Sequence, residues 1–214
     1  MFAWKNTSWN EMNADAALPM LDAQTSGMVA GTKVATPQGW ARVETICEGQ
    51  KVLTFDGGMQ TVRAVTRHVL MADMTTTAAW PMSVPAGALG NREAMTLLPH
   101  QPVMIESDLA EEMTGDPFAL IPATSLDGLR GITQSRPDAL VEVIQLHFDC
   151  DEIVFANIGA LFLCRAQSDL SMDVPQDAYT VLPLDVADDL VDYLACEDHH
   201  HALMAAAPAQ TVAA

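Results

Sequence analysis

Through the first two thirds of the chain, short apolar runs alternate with turn-forming residues at close intervals. Residues 31 to 58 show this most clearly: Gly31-Thr-Lys-Val-Ala-Thr-Pro-Gln-Gly-Trp40, then Val43-Glu-Thr-Ile46, then Glu48-Gly-Gln-Lys-Val-Leu-Thr-Phe-Asp-Gly-Gly58. Small β-branched stretches punctuated by Gly, Pro and Asp predict two or three strands joined by tight turns. Gly115-Asp-Pro, Ile121-Pro-Ala and Leu126-Asp-Gly-Leu-Arg-Gly131 predict further short strands, and Ala72 to Trp80 reads as a loop. From residue 167 the period changes. Val186, Leu190, Val191 and Leu194 recur at helical spacing with aspartates between them, and Pro183 and Asp185 supply a start. One amphipathic helix is expected at roughly 184–196. The pattern as a whole predicts an all-β domain with one C-terminal helix.

Three regions follow: a leader over 1–26, a β domain over 27–166, and an acidic extension over 167–214 that ends in a disordered run of small residues. The leader mixes Lys5, Asn6, Asn10, Glu11 and Asp15 with Trp4, Trp9, Leu18 and Leu21. It lacks the continuous apolar segment of a secretory signal, and is expected to be partly disordered or draped on the domain through its tryptophans. No stretch reaches the ~18 apolar residues of a membrane span. Cytoplasmic retention is the default location, and a C-terminal export signal of acidic then small-apolar character is the alternative.

Charge narrows the partners. The chain of 214 residues carries 10 Lys plus Arg against 28 Asp plus Glu, a formal net charge of −18. Such a surface repels phosphate backbones and anionic lipids, which argues against nucleic acid and leaves a saline setting or a cationic protein partner open. Half of the residues are apolar, enough for a sizeable core. Cys47, Cys150, Cys164 and Cys196 are scattered, without zinc-ligand spacing, and reduced thiols are expected. The aspartates of the extension follow no calcium-loop spacing and read as a solvated face. His199, His200 and His201 form at most a weak metal site. No phosphate-binding loop and no linked Ser-His-Asp set is present, so no cofactor is expected.

Further blocks stand at Pro81-Met-Ser-Val-Pro-Ala-Gly-Ala-Leu-Gly90, at Leu97-Leu-Pro-His-Gln-Pro-Val-Met-Ile105 and at Leu146-His-Phe-Asp-Cys-Asp-Glu-Ile-Val-Phe-Ala-Asn157. Together with residues 31–58, in this order and spacing, they resemble the Hint domain, the self-processing module of inteins and Hedgehog proteins, in its bacterial form. The resemblance implies a flattened, pseudo-twofold β fold. It also implies a reaction in which the first residue of the domain, a Cys or Ser, attacks the preceding peptide carbonyl to form a thioester or ester.

That position is Gly27, which has no nucleophile. Ser26 is adjacent, but its hydroxyl would need a base and a register shifted by one residue. The family's histidine, which assists departure of the scissile nitrogen, corresponds to His100, in a strand-like setting between Pro99 and Pro102. Its hydroxyl partner three residues earlier is replaced by Leu97, with Thr96 on the opposite face of a strand. In the late block, Asp151 stands where relatives carry a histidine before Glu152, and Ala160-Leu-Phe-Leu-Cys164 follows Gly159 in place of a Glu-Ser pair. His147 lies two residues from the place of another histidine, which here is Gln145, and Cys164 is distant from residue 27 in sequence. Three readings stand: a non-cleaving Hint module that binds or stabilises a protein partner, an atypical self-processing protein using Ser26 and His100, and a structural acidic domain that dimerises through its C-terminal helix.

Overall fold

The computed structural model describes residues 19–21, 25–72, 75–166 and 179–206. Among these residues, fifteen strands and two α-helices follow one another. The first half holds β1 (Met20–Leu21), β2 (Met28–Val29), β3 (Lys33–Thr36), β4 (Gly39–Arg42), β5 (Lys51–Thr54), β6 (Gly58–Thr61), β7 (Ala64–Ala72), β8 (Met82–Val84) and β9 (Met95–Leu97). Then come β10 (Pro102–Glu106), α1 (Asp108–Thr114), β11 (Phe118–Pro122), β12 (Thr133–Gln134), β13 (Leu140–His147), β14 (Glu152–Ala156), β15 (Ala160–Cys164) and α2 (Leu184–Ala206). The all-β expectation holds, and residues 31 to 58 form the expected strands β3, β4 and β5.

Two sheets result. One has the order β1-β7-β13-β2-β9-β8-β12, and the other runs β11-β10-β15-β14-β3-β4 with β5 and β6 attached to β14. The β7–β13 ladder holds the first together, with eight antiparallel pairs from Leu140 opposite Met71 to His147 opposite Ala64. β13 is rich in β-branched residues and is buried on both faces in its middle: Val141 and Val143 pack with Leu21, Leu70 and Leu98, while Ile144 and Leu146 enter the main core. Such a strand shows as a near-continuous apolar run. In the second sheet the β14–β15 hairpin turns through Asn157, Ile158 and Gly159, all at positive φ. Gly159 faces the Gly90 backbone so closely that a Cβ has no room there, and the side-chain oxygen of Asn157 accepts from the Lys33 amide.

Several elements differ from expectation. Helix α1 was not expected; Ser107 Oγ accepts from the Leu109 amide at its start, and Gly115, at φ 80°, closes it. Much of Ala123–Gly131 forms 3-10 turns in place of strands. The expected loop from Ala72 to Trp80 contains a 3-10 turn over Thr77–Ala79. Part of the leader is structured, since β1 pairs parallel to β7 and the Met71 amide donates to the Pro19 carbonyl at 2.9 Å. Residues 1–18 and 207–214, where the tryptophan contacts and the disordered end were expected, lie outside the described residues.

Helix α2 begins as expected and runs ten residues further, to Ala206. The continuation has Ala, Leu and Met and no Gly or Pro, so nothing in it stops the helix, and the histidine triplet is helical. Ala187, Leu190, Val191 and Leu194 are buried in the main core, and Arg130 donates to Asp198 through two nitrogens at 2.6 and 2.9 Å. The stripe expected to cap the domain or a dimer therefore covers this domain itself. No helix among the described residues is long and apolar enough to cross a membrane.

Because Leu190 is 1 % exposed, Leu190→Ala should lower stability by about 2–4 kcal/mol. Urea unfolding followed by tryptophan fluorescence should show a single transition at a lower midpoint, and a separate early transition would mean that α2 is an appendage.

Candidate functional site

Ser26 and Gly27 enter β2 beside β13, at the meeting of the two sheets. Met28 pairs with Ile144 and with Leu97, so the segment lies between β13 and β9. Just after β9 the chain turns at Pro99 and His100, closed by the Gln101 amide donating to the Leu98 carbonyl at 3.0 Å, and then continues as β10. The sequence predicts a strand-like setting for His100. The structure puts it in this exposed turn, because Pro99 and Pro102 bracket a reversal of direction.

A cleft of about 420 Å³ opens here. Ser26, Gly27, His100, Gln145, His147 and Cys164 all line it. Folding thus brings Ser26, Gly27, His100, His147 and Cys164 together, although Cys164 stands far from residue 27 along the chain, whereas Thr96, Asp151, Glu152 and His199–His201 do not line the cleft.

The Ser26–Gly27 peptide is held at both of its polar groups. The Gln145 side-chain amide donates to the Ser26 carbonyl at 2.9 Å, and the Gly27 amide donates to Gln101 Oε1 at 3.0 Å. Gln101 is 2 % exposed, and its Nε2 donates to the carbonyls of Pro102 and Leu163 at 3.1 and 3.0 Å. Its three polar bonds therefore join β2 to β10 and β15. Gln101 was not singled out from sequence; the available signal was a polar amide between a histidine and a proline at the start of an apolar strand.

Gly27 itself admits no side chain. Its φ is +131°, a region L-residues rarely adopt, and a Cβ would lie 2.8 Å from Val143 Cγ1, 3.0 Å from Gln145 Cγ and 3.1 Å from the Ile144 carbonyl. Val143 is buried and β-branched, so it cannot swing away cheaply. The residue at the hydroxyl position, Leu97, is buried in the main core, and Thr96 is half-buried on the other face of β9.

Further polar groups stand around the cleft. His147 Nε2 lies 3.0 Å from Thr66 Oγ1, while its Nδ1 is buried without a hydrogen-bond partner. Asp151 accepts from Arg165 Nη1 at 2.8 Å and from the Ala166 amide at 2.7 Å, so it fastens the chain leaving β15. Glu152 is half-buried and its carboxyl is raised above the usual range, first by burial, against a hydrogen bond from Thr54. Burial pushes the Cys164 thiol up to about 12, with Glu152 and Asp151 adding repulsion. A thiol kept protonated at neutral pH is a poor nucleophile. Among the described residues no group of three or more His, Cys, Asp or Glu side chains could hold a metal.

The Hint domain family model matches residues 26–161. Among solved structures, the chain is similar to a bacterial intein-like domain from Clostridium thermocellum, at 17 % identity and a TM-score of 0.47, over 64 % of this chain and 98 % of that one. It is similar as well to the AceL NrdHF class 3 split intein in a splice-inactive form, at 13 % identity and TM-score 0.45, over 67 % and 99 % of the two chains. A third similar structure is the MchDnaB-1 intein, at 19 % identity and TM-score 0.41, over 65 % and 99 %. No curated protein matches.

Two outcomes test this description. Gln101→Leu leaves the Gly27 amide and the Leu163 carbonyl without partners, and should cost about 2–4 kcal/mol in urea unfolding. Cys164 carries a pH signature: its thiol titrates near 9 when unfolded and at about 12 when folded. Between these values the folded state holds the extra proton, so this stabilisation is complete below pH 9 and is lost as pH rises toward 12. Stability measured from pH 8 to 11 should fall less steeply in Cys164→Ala than in the parent, and parallel slopes would contradict the assignment.

Proposed function

Since the chain belongs to the Hint domain family, with the family model covering residues 26–161, we propose that it is a Hint module that retains its upstream segment instead of releasing it. The observation that carries this reading is Gly27: the nucleophile's position has no side chain, no room for one, and a preceding peptide already bonded at both its carbonyl and its amide. The function that fits is a binding or stabilising one, in which whatever precedes Gly27 stays covalently joined to the domain and Ser26 stays in the cleft.

Processing through Ser26 and His100 is the competing reading, and the shared cleft favours it. Its geometry is out of step by one residue. A Ser26 hydroxyl attacking the carbonyl before it would act on the Thr25–Ser26 peptide, whereas the Gln145 donor lies on the carbonyl after it. Oxyanion stabilisation requires the donor at the oxygen where charge develops. A donor one peptide further along stabilises a ground state.

Restoring the family's residue should not restore the reaction. Gly27→Cys should lose about 2–4 kcal/mol of stability through strain and crowding and give no dithiothreitol-dependent cleavage by mass spectrometry. A fragment starting at residue 27 in that variant would overturn the reading. Ser26→Ala and His100→Ala, at partly or fully exposed positions, should each change stability by no more than ~0.5 kcal/mol.

A further inference from the structure

The cleft has a wall that comes from beyond the family-matched region. Val181, Leu182 and Leu184 line it together with Ser26 and Gly27. Val181 and Leu182 lie beside β11, the terminal strand of its sheet among the described residues. Val181 bridges in parallel to Leu120, and the Leu182 amide donates to the Leu120 carbonyl at 2.8 Å. Tyr179 packs with Val181, Phe55 and Phe118 on a small apolar cluster, and its hydroxyl donates to the Asp56 carboxylate.

We infer that Tyr179–Leu184 is an intramolecular strap that closes the cleft, latched at one end by Tyr179 on Asp56 and anchored at the other by α2. The two ends differ greatly in strength. Four buried apolar side chains and the Arg130–Asp198 pair hold α2. The strap itself rests on one backbone hydrogen bond, a few half-buried side chains and one exposed side-chain hydrogen bond. Segments with few buried contacts open locally at a small fraction of the global free energy. The Tyr179 end therefore opens while α2 stays docked, and access to the cleft follows the latch.

Cys164 reports this opening because it is buried, lines the cleft and contrasts with the exposed Cys47, Cys150 and Cys196. The full chain is treated with iodoacetamide at neutral pH and each cysteine is followed by peptide mass spectrometry. Tyr179→Phe should raise the labelling rate of Cys164 about fivefold, the ratio given by one ordinary hydrogen bond, and leave the three exposed thiols unchanged. Asp56→Ala should do the same, and the double variant should add little, since both changes remove one contact. In the parent, Cys164 labelling should depend only weakly on dilute urea. An unchanged Cys164 rate in Tyr179→Phe would overturn the strap. So would a urea dependence as steep as that of global unfolding, and so would independent, multiplying effects of the two substitutions.

Discussion

The buried side-chain amide of Gln101 is the point on which the site depends. Its oxygen takes the Gly27 amide from one sheet, and its nitrogen gives to Leu163 in the other. A glutamine suits this place because one uncharged group offers an acceptor and two donors, and all are used. Its burial without those bonds would cost several kcal/mol, so the arrangement is stable only as a set. The β2 segment, the turn carrying His100 and the end of β15 are brought together by this one residue.

The scaffold around that amide stands on its own packing. The long β7–β13 ladder, the β14–β15 turn and the two-sided burial of β13 build the Hint fold without reference to a nucleophile. Gly27 fits against Val143 and Gln145 because it has no side chain, and Leu97 serves the core where a hydroxyl would serve catalysis. Asp151 fastens Arg165 and Ala166. Gly27, Leu97 and Asp151 thus each have a structural task, and the proposed retention of the upstream segment rests on them.

Much of this was legible in the chain. Turn residues around short β-branched runs pointed to β3, β4 and β5, and the helical spacing of Leu190, Val191 and Leu194 located α2. Its true end was obscured because the acidic and histidine stretch from Glu197 to His201 looks like tail, although alanine and leucine carry the helix onward. Helix α1 had readable signals in Ser107 and Gly115, hidden within a region of strand-like punctuation. The cleft was legible in part: Ser26, Gly27 and His100 are recognisable by position, whereas Gln101 and Cys164 join them only through long-range pairing. The strap was not legible, since one backbone bond to Leu120 and one hydroxyl on Asp56 leave no periodic trace.

The most direct test of retention is the intact mass of the purified full-length protein, before and after long incubation with dithiothreitol or hydroxylamine, which resolve thioesters and esters. A single unchanged mass matching residues 1–214 is the expected result. A fragment beginning at Ser26 or Gly27, growing with incubation, would show that the peptide is cut and contradict the account.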